Sequence, residues 1–96
     1  MKAYYISGRI TGLPESESDR NFQLAKVEVS KMGFEPLSPK DLPHNHDQSW
    51  ESFMKEDLIQ LVKCDGVYAL KDWRMSKGAS IEVNLALVLG LNVIYQ

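Results

Sequence analysis

The chain alternates between short apolar runs and longer segments in which apolar residues recur at every third or fourth position. Short runs rich in aromatic and β-branched residues predict β-strands, and the wider spacing predicts amphipathic helices. In chain order the predicted strands are KAYYIS, FEPL, DGVYAL and NVIY. The predicted helices run from about Asp19 to Met32, from about Ser49 to Val62, and from Ala79 to Leu89. The predicted element order is therefore β-α-β-α-β-α-β.

Start and stop signals support the predicted helices. Ser49 is a suitable N-cap for the second helix, because its hydroxyl can accept a bond from a free backbone N–H group. Gly33 follows the first helix and Gly90 follows the third, where a C-terminal glycine commonly ends a helix. The first helix is supported by apolar residues at helical spacing, namely Phe22, Ala25, Val29 and Met32.

Alternation of strands and helices predicts a parallel sheet with helices on both faces. We expect one small doubly wound α/β domain over residues 1–96, flavodoxin-like or Rossmann-like, with four strands in the order 2-1-3-4 and three helices. FEPL contains a proline, so it is expected at an edge. Ligands bind such sheets beyond the carboxyl ends of the strands, where the strand order reverses. The expected site loops are Ser7–Pro14, Ser38–Gln48 and Lys71–Lys77, together with the start of the third helix.

Two acidic residues interrupt apolar helix faces. Asp57 shares a stripe of the second helix with Trp50, Phe53, Met54, Leu58, Leu61 and Val62. Glu82 shares a stripe of the third helix with Leu85, Ala86 and Leu89, flanked by Ala79 and Val83. Two carboxylates in apolar surroundings near one cleft are typical of acid–base or nucleophilic chemistry. A structural alternative stays open, because Glu82 lies where a helix dipole favours an acid and Asp57 could accept a backbone hydrogen bond.

Two glycine-containing loops are candidates for binding an anion. Ser76 and Gly78 precede the third helix, where free backbone N–H groups suit a phosphate or carboxylate, although serine is also a common N-cap. SGRITG follows the first strand and lacks the G-x-G-x-x-G dinucleotide pattern, so we do not expect NAD. Arg9 in this loop could pair with an anion. A mobile surface loop is the alternative.

Further candidates are less specific. HNHD offers His44, His46 and Asp47, with Glu51 nearby, but H-x-H without a well-placed third ligand does not define a metal site. We therefore expect no metal and no cofactor. Trp73 could stack on a nucleobase or could pack at the end of the sheet. Tyr4 and Tyr5 alternate across the first strand, so one faces each side. One of them could reach the cleft, and core packing is the expected role.

Composition and charge narrow the function further. The chain has 96 residues, of which 44% are hydrophobic and 25% charged, with a net charge of −2. This charge argues against a nucleic-acid polymer as partner, while a small phosphorylated ligand needs only a local positive potential. The single cysteine, Cys64, allows no internal disulfide and is expected to be a small core residue. Without a signal peptide or an apolar stretch long enough to span a membrane, we expect a cytoplasmic protein.

The segments YYISGRITG, EDLIQLVKCDGVYAL, SKGASIE and LALVLGLNVIY occur in this order and cover most of the chain. Together they resemble the nucleoside 2-deoxyribosyltransferase-like family. That family includes 2′-deoxynucleoside 5′-monophosphate N-hydrolases and many small phage and bacterial proteins. The most specific part of the resemblance is the pattern S-x-G-x-x-x-E, formed here by Ser76, Gly78 and Glu82.

The resemblance implies a role for each matching residue. Glu82 would be the nucleophile that attacks the anomeric carbon of the sugar, and Asp57 would assist proton transfer or hold the sugar. Ser76 and Gly78 would form the phosphate-holding turn. The loop after the first strand would line the sugar-phosphate pocket through Gly8, Ile10 and Gly12. The family is usually oligomeric, so a homodimer or a larger homo-oligomer is expected.

The expected function is hydrolysis or transfer at the N-glycosidic bond of a (deoxy)nucleoside 5′-monophosphate or a nucleoside. The logic is that of retaining glycosidases, with an oxocarbenium-like transition state and paired carboxylates. Two alternatives stay open. One is a nucleotide-binding or sequestering module without turnover. The other is an interaction protein that dimerises through an apolar helix surface including Trp50 and Met54.

Overall fold

The computed structural model describes residues 1–44 and 46–96. Its centre is a four-stranded parallel sheet in the order β2-β1-β3-β4, which confirms the predicted topology. The strands are β1 (Ala3–Ser7), β2 (Glu35–Leu37), β3 (Gly66–Ala69) and β4 (Asn92–Tyr95). β2 lies at one edge of the sheet, as the proline of FEPL predicted, because an edge strand tolerates a residue without an N–H group.

Three α-helices connect the strands, namely α1 (Glu15–Lys31), α2 (Trp50–Val62) and α3 (Lys77–Val88). The predicted start of α1 at Asp19 was one turn too late. ESES has no apolar period, but Pro14 precedes it and two glutamates lie in the first turn, where the helix dipole favours acids. The predicted start of α3 at Ala79 was also late, because Ser76 is the N-cap and its Oγ accepts from the Ala79 N–H group at 3.2 Å.

The remaining helix signals agree with the structure. Ser49 caps α2, and its Oγ accepts a bond from the backbone N–H of Ser52 at 3.2 Å. Gly33 and Gly90 follow α1 and α3 with φ of 88° and 75°, a left-handed conformation that glycine adopts without steric cost.

Helices cover both faces of the sheet, which makes the fold doubly wound. α1 packs on one face, and the buried cluster there comprises Tyr4, Ile6, Phe22, Ala25, Val29, Tyr68 and Leu70. α2 and α3 share the other face, whose buried cluster comprises Tyr5, Leu61, Cys64, Val67, Ala69, Val83 and Ala86. Residues of β1 and β3 alternate between the clusters, as the two-residue period of a strand requires.

The helices extend further than the sheet can cover. Met32, Val62 and Leu89 were predicted on apolar faces but are 43%, 48% and 51% exposed. Strands of 3 to 5 residues are roughly 10–17 Å long, whereas helices of 12 to 17 residues reach about 18–25 Å. The last turns therefore project past the sheet, which explains the error at these three positions.

The topology places three loops at one end of the sheet. β1 pairs with both β2 and β3, so the strand order reverses between β1 and β3. The loops after β1, β2 and β3 meet at this point, as expected for a doubly wound sheet. Two of them contain single 3₁₀ turns, at Pro39–Asp41 and Trp73–Met75. Within the described ranges no helix combines the length and apolarity needed to cross a membrane.

Candidate active site

A cavity of about 390 Å³ opens at the carboxyl ends of β1 and β3. α1, α2, α3 and the loops after β1 and β2 all contribute to its wall. The lining residues are Gly8, Ile10, Thr11, Glu15, Asp19, Pro39, Lys40, His44, Trp50, Phe53, Met54, Asp57, Ser76, Gly78, Ala79 and Glu82. Both acids that interrupt apolar helix faces, Asp57 and Glu82, therefore lie on the same cavity.

Glu82 is held by two hydroxyl groups of β1. Tyr5 donates from its phenol to Oε2 at 2.8 Å, and Ser7 donates from its Oγ to Oε1 at 2.7 Å. Both donors are on the α2–α3 face of β1, because residues two apart on a strand point the same way. Glu82 lies one turn inside α3, directly above them. The carboxyl group is thus fixed at both oxygens, which sets its orientation toward the cavity.

Burial makes the protonation of Glu82 sensitive to pH near neutrality. The side chain is 5% exposed. Desolvation raises the pKa of Glu82 from 4.5 to about 7, and the charge of Asp57 adds to the rise, while the bonds from Ser7 and Tyr5 oppose it. Burial raises the pKa of the Tyr5 phenol well above its usual value, and the charge of Glu82 adds to the rise. Tyr5 therefore stays a hydrogen-bond donor to Glu82.

Asp57 reaches the cavity from the buried stripe of α2. Its residue is 8% exposed, and its Oδ1 is buried without a hydrogen-bond partner among residues 1–44 and 46–96. Desolvation raises the pKa of Asp57 from 3.8 to about 6. A buried carboxyl oxygen without a partner is costly unless a ligand or water satisfies it. Asp57 is thus available to a hydrogen-bond donor placed in the cavity.

The N-terminus of α3 forms a polar part of the wall. Ser76 and Gly78 both line the cavity, and the first backbone N–H groups of a helix have no partner within it. Gly78 packs closely against α2, because a Cβ there would lie 3.0 Å from Met54 Sδ and the methionine would have to shift. Because Gly78 has no side chain, a molecule in the cavity can come close to the backbone there.

The opposite wall comes from the loops after β1 and β2. Gly8 and Ile10 line the cavity as predicted. Gly8 must be glycine, since a Cβ there would lie 2.4 Å from Leu70 Cδ1. Lys40 brings a cation to this wall and binds Asp19 at 2.8 Å. The rim therefore carries both signs of charge.

Three predicted binding residues lie outside the wall formed by the described residues. Arg9 turns back onto its own loop, where Nε donates to the Thr11 carbonyl at 3.4 Å. Gly12 has a φ of 89° and lies under the Arg9 guanidinium. Trp73 lines a separate hollow beside Arg74 and Tyr95, packing against the α2–α3 core. Trp73 therefore does not line this cavity, and its ring packs at the end of the sheet, which is the alternative that the sequence left open.

Two residues of the apolar α2 surface that was considered for a dimer lie on the cavity. Met54 is buried and Trp50 is half-buried, and both line the cavity. The Lys77 Nζ lies 4.5 Å from the centre of the Trp50 ring, which covers part of its outer face. These two residues shape the pocket and do not form an exposed helix face.

Sequence reasoning missed the two residues that orient Glu82. Ser7 was placed where the first strand meets its loop, without a role in the site, and Tyr5 was expected to be a core residue. The signal was present in the strand period, which puts Tyr5 and Ser7 on one face of β1. What the period could not show is that α3 lies over this face with Glu82 above both hydroxyls.

The geometry brings two buried carboxyl groups and the N-terminus of α3 together in one hollow. Glu82 can attack an electrophilic carbon, because its oxygens are fixed and its pKa lies near neutrality. Asp57 can exchange a proton with a bound molecule. The α3 N-terminus can hold an anionic group. This set suits a small anionic molecule that undergoes substitution at carbon.

Comparisons with known proteins place the chain in a family and a fold. The sequence matches the family described as "Domain of unknown function (DUF4406)" over residues 2–95. No curated protein matches the sequence. The structure is similar to a 2-deoxyribosyltransferase from Bacillus psychrosaccharolyticus, with a TM-score of 0.73 and 19% identity over 97% of this chain and 70% of that one. The fold is therefore like that of a deoxyribosyltransferase.

Proposed function

We propose that this chain, which belongs to the DUF4406 family, breaks the N-glycosidic bond of a nucleoside 5′-monophosphate or nucleoside through Glu82. One observation carries the proposal. Two buried carboxyl groups from different helices line one cavity, and the Glu82 carboxyl is fixed by two hydroxyls. Paired carboxyl groups of this kind serve glycosidic bonds in many enzymes.

In the first step the ionised Glu82 attacks the anomeric carbon of the sugar. A C–O ester bond forms to Glu82 as the bond between that carbon and the base nitrogen breaks. Between the two pKa values the pair of carboxyl groups shares one proton, and the reactive form is the one in which this proton is on Asp57 and Glu82 is ionised. The departing base takes that proton from Asp57, whose Oδ1 is buried on the cavity without a partner among the described residues. The transition state resembles an oxocarbenium ion.

In the second step an acceptor releases the sugar from Glu82. If the acceptor is water, its oxygen bonds to the anomeric carbon, its proton passes to Asp57, and Glu82 leaves as a carboxylate. If the acceptor is another base, its nitrogen takes the place of water and the reaction is a transfer. The structural relative is described as a biocatalyst for the synthesis of nucleosides, which supports keeping transfer within the proposal.

The α3 N-terminus favours a 5′-monophosphate as substrate. Ser76 and Gly78 line the cavity on the same helix that carries Glu82, so a phosphate there would sit about one helical turn from the nucleophile. Helix N-termini bind phosphate through free N–H groups and the helix dipole. Hydrolysis of a nucleotide is therefore favoured over transfer between nucleosides.

Chromatographic detection of free base tests the proposal. The chain is incubated with each deoxynucleoside and ribonucleoside 5′-monophosphate and with the matching nucleosides. Release of base that requires the 5′-phosphate supports the proposed substrate. Saturable binding without release would favour a nucleotide-binding module, and neither binding nor release would favour an interaction protein. Either of these last results contradicts the enzymatic proposal.

Replacing Asp57 by asparagine is expected to lower the rate of base release by about a hundred-fold or more, because the variant cannot exchange a proton. Asparagine keeps the size of the side chain and can still hydrogen-bond the substrate. Binding of a nucleotide, measured by calorimetry, should therefore change little. Unchanged base release in the variant would remove Asp57 from the mechanism.

The expected homo-oligomer stays a prediction. Leu87, Val88 and Leu89 at the end of α3 are exposed, Val88 to 83%. Neighbouring apolar side chains of this kind support a contact between copies of the chain.

A further inference from the structure

His44, His46 and Glu56 form a compact cluster beside the cavity. His44 and His46 lie on the loop before α2, and Glu56 lies on α2. His44 Nδ1 is 2.7 Å from Glu56 Oε2 and 3.2 Å from His46 Nε2, and the latter is 3.7 Å from the same carboxylate oxygen. The structure thus supplies a third ligand that the HNHD motif lacks, and it is Glu56 and not Glu51.

The spacing of these three atoms suits a tetrahedral metal ion. Zinc binds imidazole nitrogen at about 2.0–2.1 Å and carboxylate oxygen at a similar distance, so neighbouring ligand atoms are roughly 3.3 Å apart. The observed separations of 2.7, 3.2 and 3.7 Å fall on both sides of this value. Shifts of about half an ångström in side chains would complete the triangle.

One ring nitrogen of His44 faces the Glu56 carboxylate and the other faces a backbone carbonyl. The Pro39 carbonyl lies 3.1 Å from His44 Nε2, and a carbonyl only accepts, so Nε2 carries a proton. In a neutral ring Nδ1 then has a lone pair, and it faces the Glu56 carboxylate. Two acceptors this close repel each other unless a proton or a metal ion lies between them.

The bond to Pro39 also resembles the support that metal-binding histidines receive. A histidine ligand almost always donates its second ring N–H to a carbonyl or carboxylate, which fixes its tautomer and orientation. Phe53 packs edge-on against both rings, with centroids 4.7 Å from His44 and 4.5 Å from His46. Both imidazoles are therefore held in place by groups outside the triangle.

We propose that His44 Nδ1, His46 Nε2 and a Glu56 carboxylate oxygen form a Zn²⁺ site at the rim of the cavity. Two imidazoles and one carboxylate are a known zinc donor set. The ion would fasten the loop before α2 to α2 itself. Because His44 also lines the cavity, this would fix part of the cavity wall. The proposal does not depend on the glycosidic reaction.

Binding of zinc has a local consequence at Gln48. Its backbone N–H donates to His46 Nδ1 at 3.0 Å. To bind metal through Nε2, His46 must carry its proton on Nδ1, so this bond is released. Gln48 has a φ of 64°, which costs energy for a residue with a side chain. Loss of the bond allows the Gln48 backbone to leave this conformation. Zinc binding should therefore shift the NMR signal of the Gln48 backbone amide.

Calorimetric titration of the tag-free, chelator-treated chain with ZnCl₂ tests the site. We expect one ion per chain with micromolar affinity or tighter, a shift of the Gln48 amide signal, and a rise in Tm of roughly 5 °C at saturation. Mg²⁺, which prefers oxygen ligands, should do none of this. The chain has two histidines, and both are in the cluster, so no other histidine can account for binding.

Two variants and a matched control complete the experiment. His46→Ala and Glu56→Gln should each weaken zinc binding at least about ten-fold, whereas Glu51→Gln, on the same helix but outside the cluster, should leave it unchanged. Circular dichroism checks that each variant is folded. Absence of saturable zinc binding to the wild-type chain would overturn the proposal. Binding that survives both variants would overturn it equally.

Discussion

Replacing Glu82 by glutamine is expected to reduce base release by at least about a thousand-fold, which is typical of the loss of a nucleophile. Glutamine keeps the shape of the side chain. Its amide oxygen can accept the bond from Ser7, and its amide nitrogen can donate to the Tyr5 oxygen. The variant cannot form the glycosyl ester, however, because an amide is a poor nucleophile. The loss should therefore appear in the rate and not in the fold.

A matched control separates the chemistry from a general effect of removing an acid. Glu51 is an exposed acid on α2 and lies outside the cavity wall. Glu51→Gln should release base at the wild-type rate. Both variants should bind nucleotide and give wild-type circular dichroism spectra. If Glu82→Gln releases base at a rate within about ten-fold of wild type, Glu82 is not the nucleophile, because loss of a nucleophile lowers the rate far more than this.

The free energy of unfolding is expected to fall by up to about 3 kcal/mol between about pH 5 and pH 8 because of Glu82. Burial raises the folded-state pKa of Glu82 to about 7, against 4.5 for an unperturbed glutamate. Between these values the folded chain holds a proton that the unfolded chain has lost. The stabilisation is complete below the unfolded pKa and disappears as the pH rises through about 7.

Urea denaturation at a series of pH values measures this effect. Glu82→Gln has no proton to lose at this position, so its stability should depend less on pH than that of the wild type. Below about pH 5 the free energies of unfolding of the two chains should differ only by a constant amount. Above about pH 5 the difference should change progressively, because only the wild type loses a proton at this position. Parallel curves over this range would show that the pKa of Glu82 is not raised in the folded chain.

Most of the fold could be predicted from the sequence, because local signals and topology rules acted together. The period of the apolar residues fixed the element types, and Ser49, Gly33 and Gly90 marked helix ends. Few right-handed arrangements of this element order are possible. Helix starts were less certain, since the ESES segment of α1 has no apolar residue to set a period.

The site could be predicted only where a residue carried its own signal. Asp57 and Glu82 stood out because an acid on an apolar stripe is unusual. Trp73 and Arg9 carried no signal for direction, and the structure turns both away from the cavity. The partners of Glu82 depend on how α3 lies over β1, which is a tertiary contact that no local pattern encodes.

The same limit applies to the histidine cluster. HNHD shows two imidazoles two residues apart, which is too little for a metal site. Glu56 joins them because α2 folds back past the loop that precedes it, bringing its carboxylate within 2.7 Å of His44 Nδ1. Glu56 lies ten residues after His46, and nothing in the sequence favours it over Glu51 as the third ligand.

The central claim is that Glu82 forms a covalent bond to the sugar. Mass spectrometry of the chain, quenched with acid during turnover of its best substrate and digested into peptides, tests this claim most directly. The account predicts an adduct with the mass of the sugar phosphate, or of the sugar if the best substrate is a nucleoside, on the peptide that contains Glu82, and no adduct in Glu82→Gln. Base release at full rate without such an adduct, or with the adduct on another residue, would contradict it.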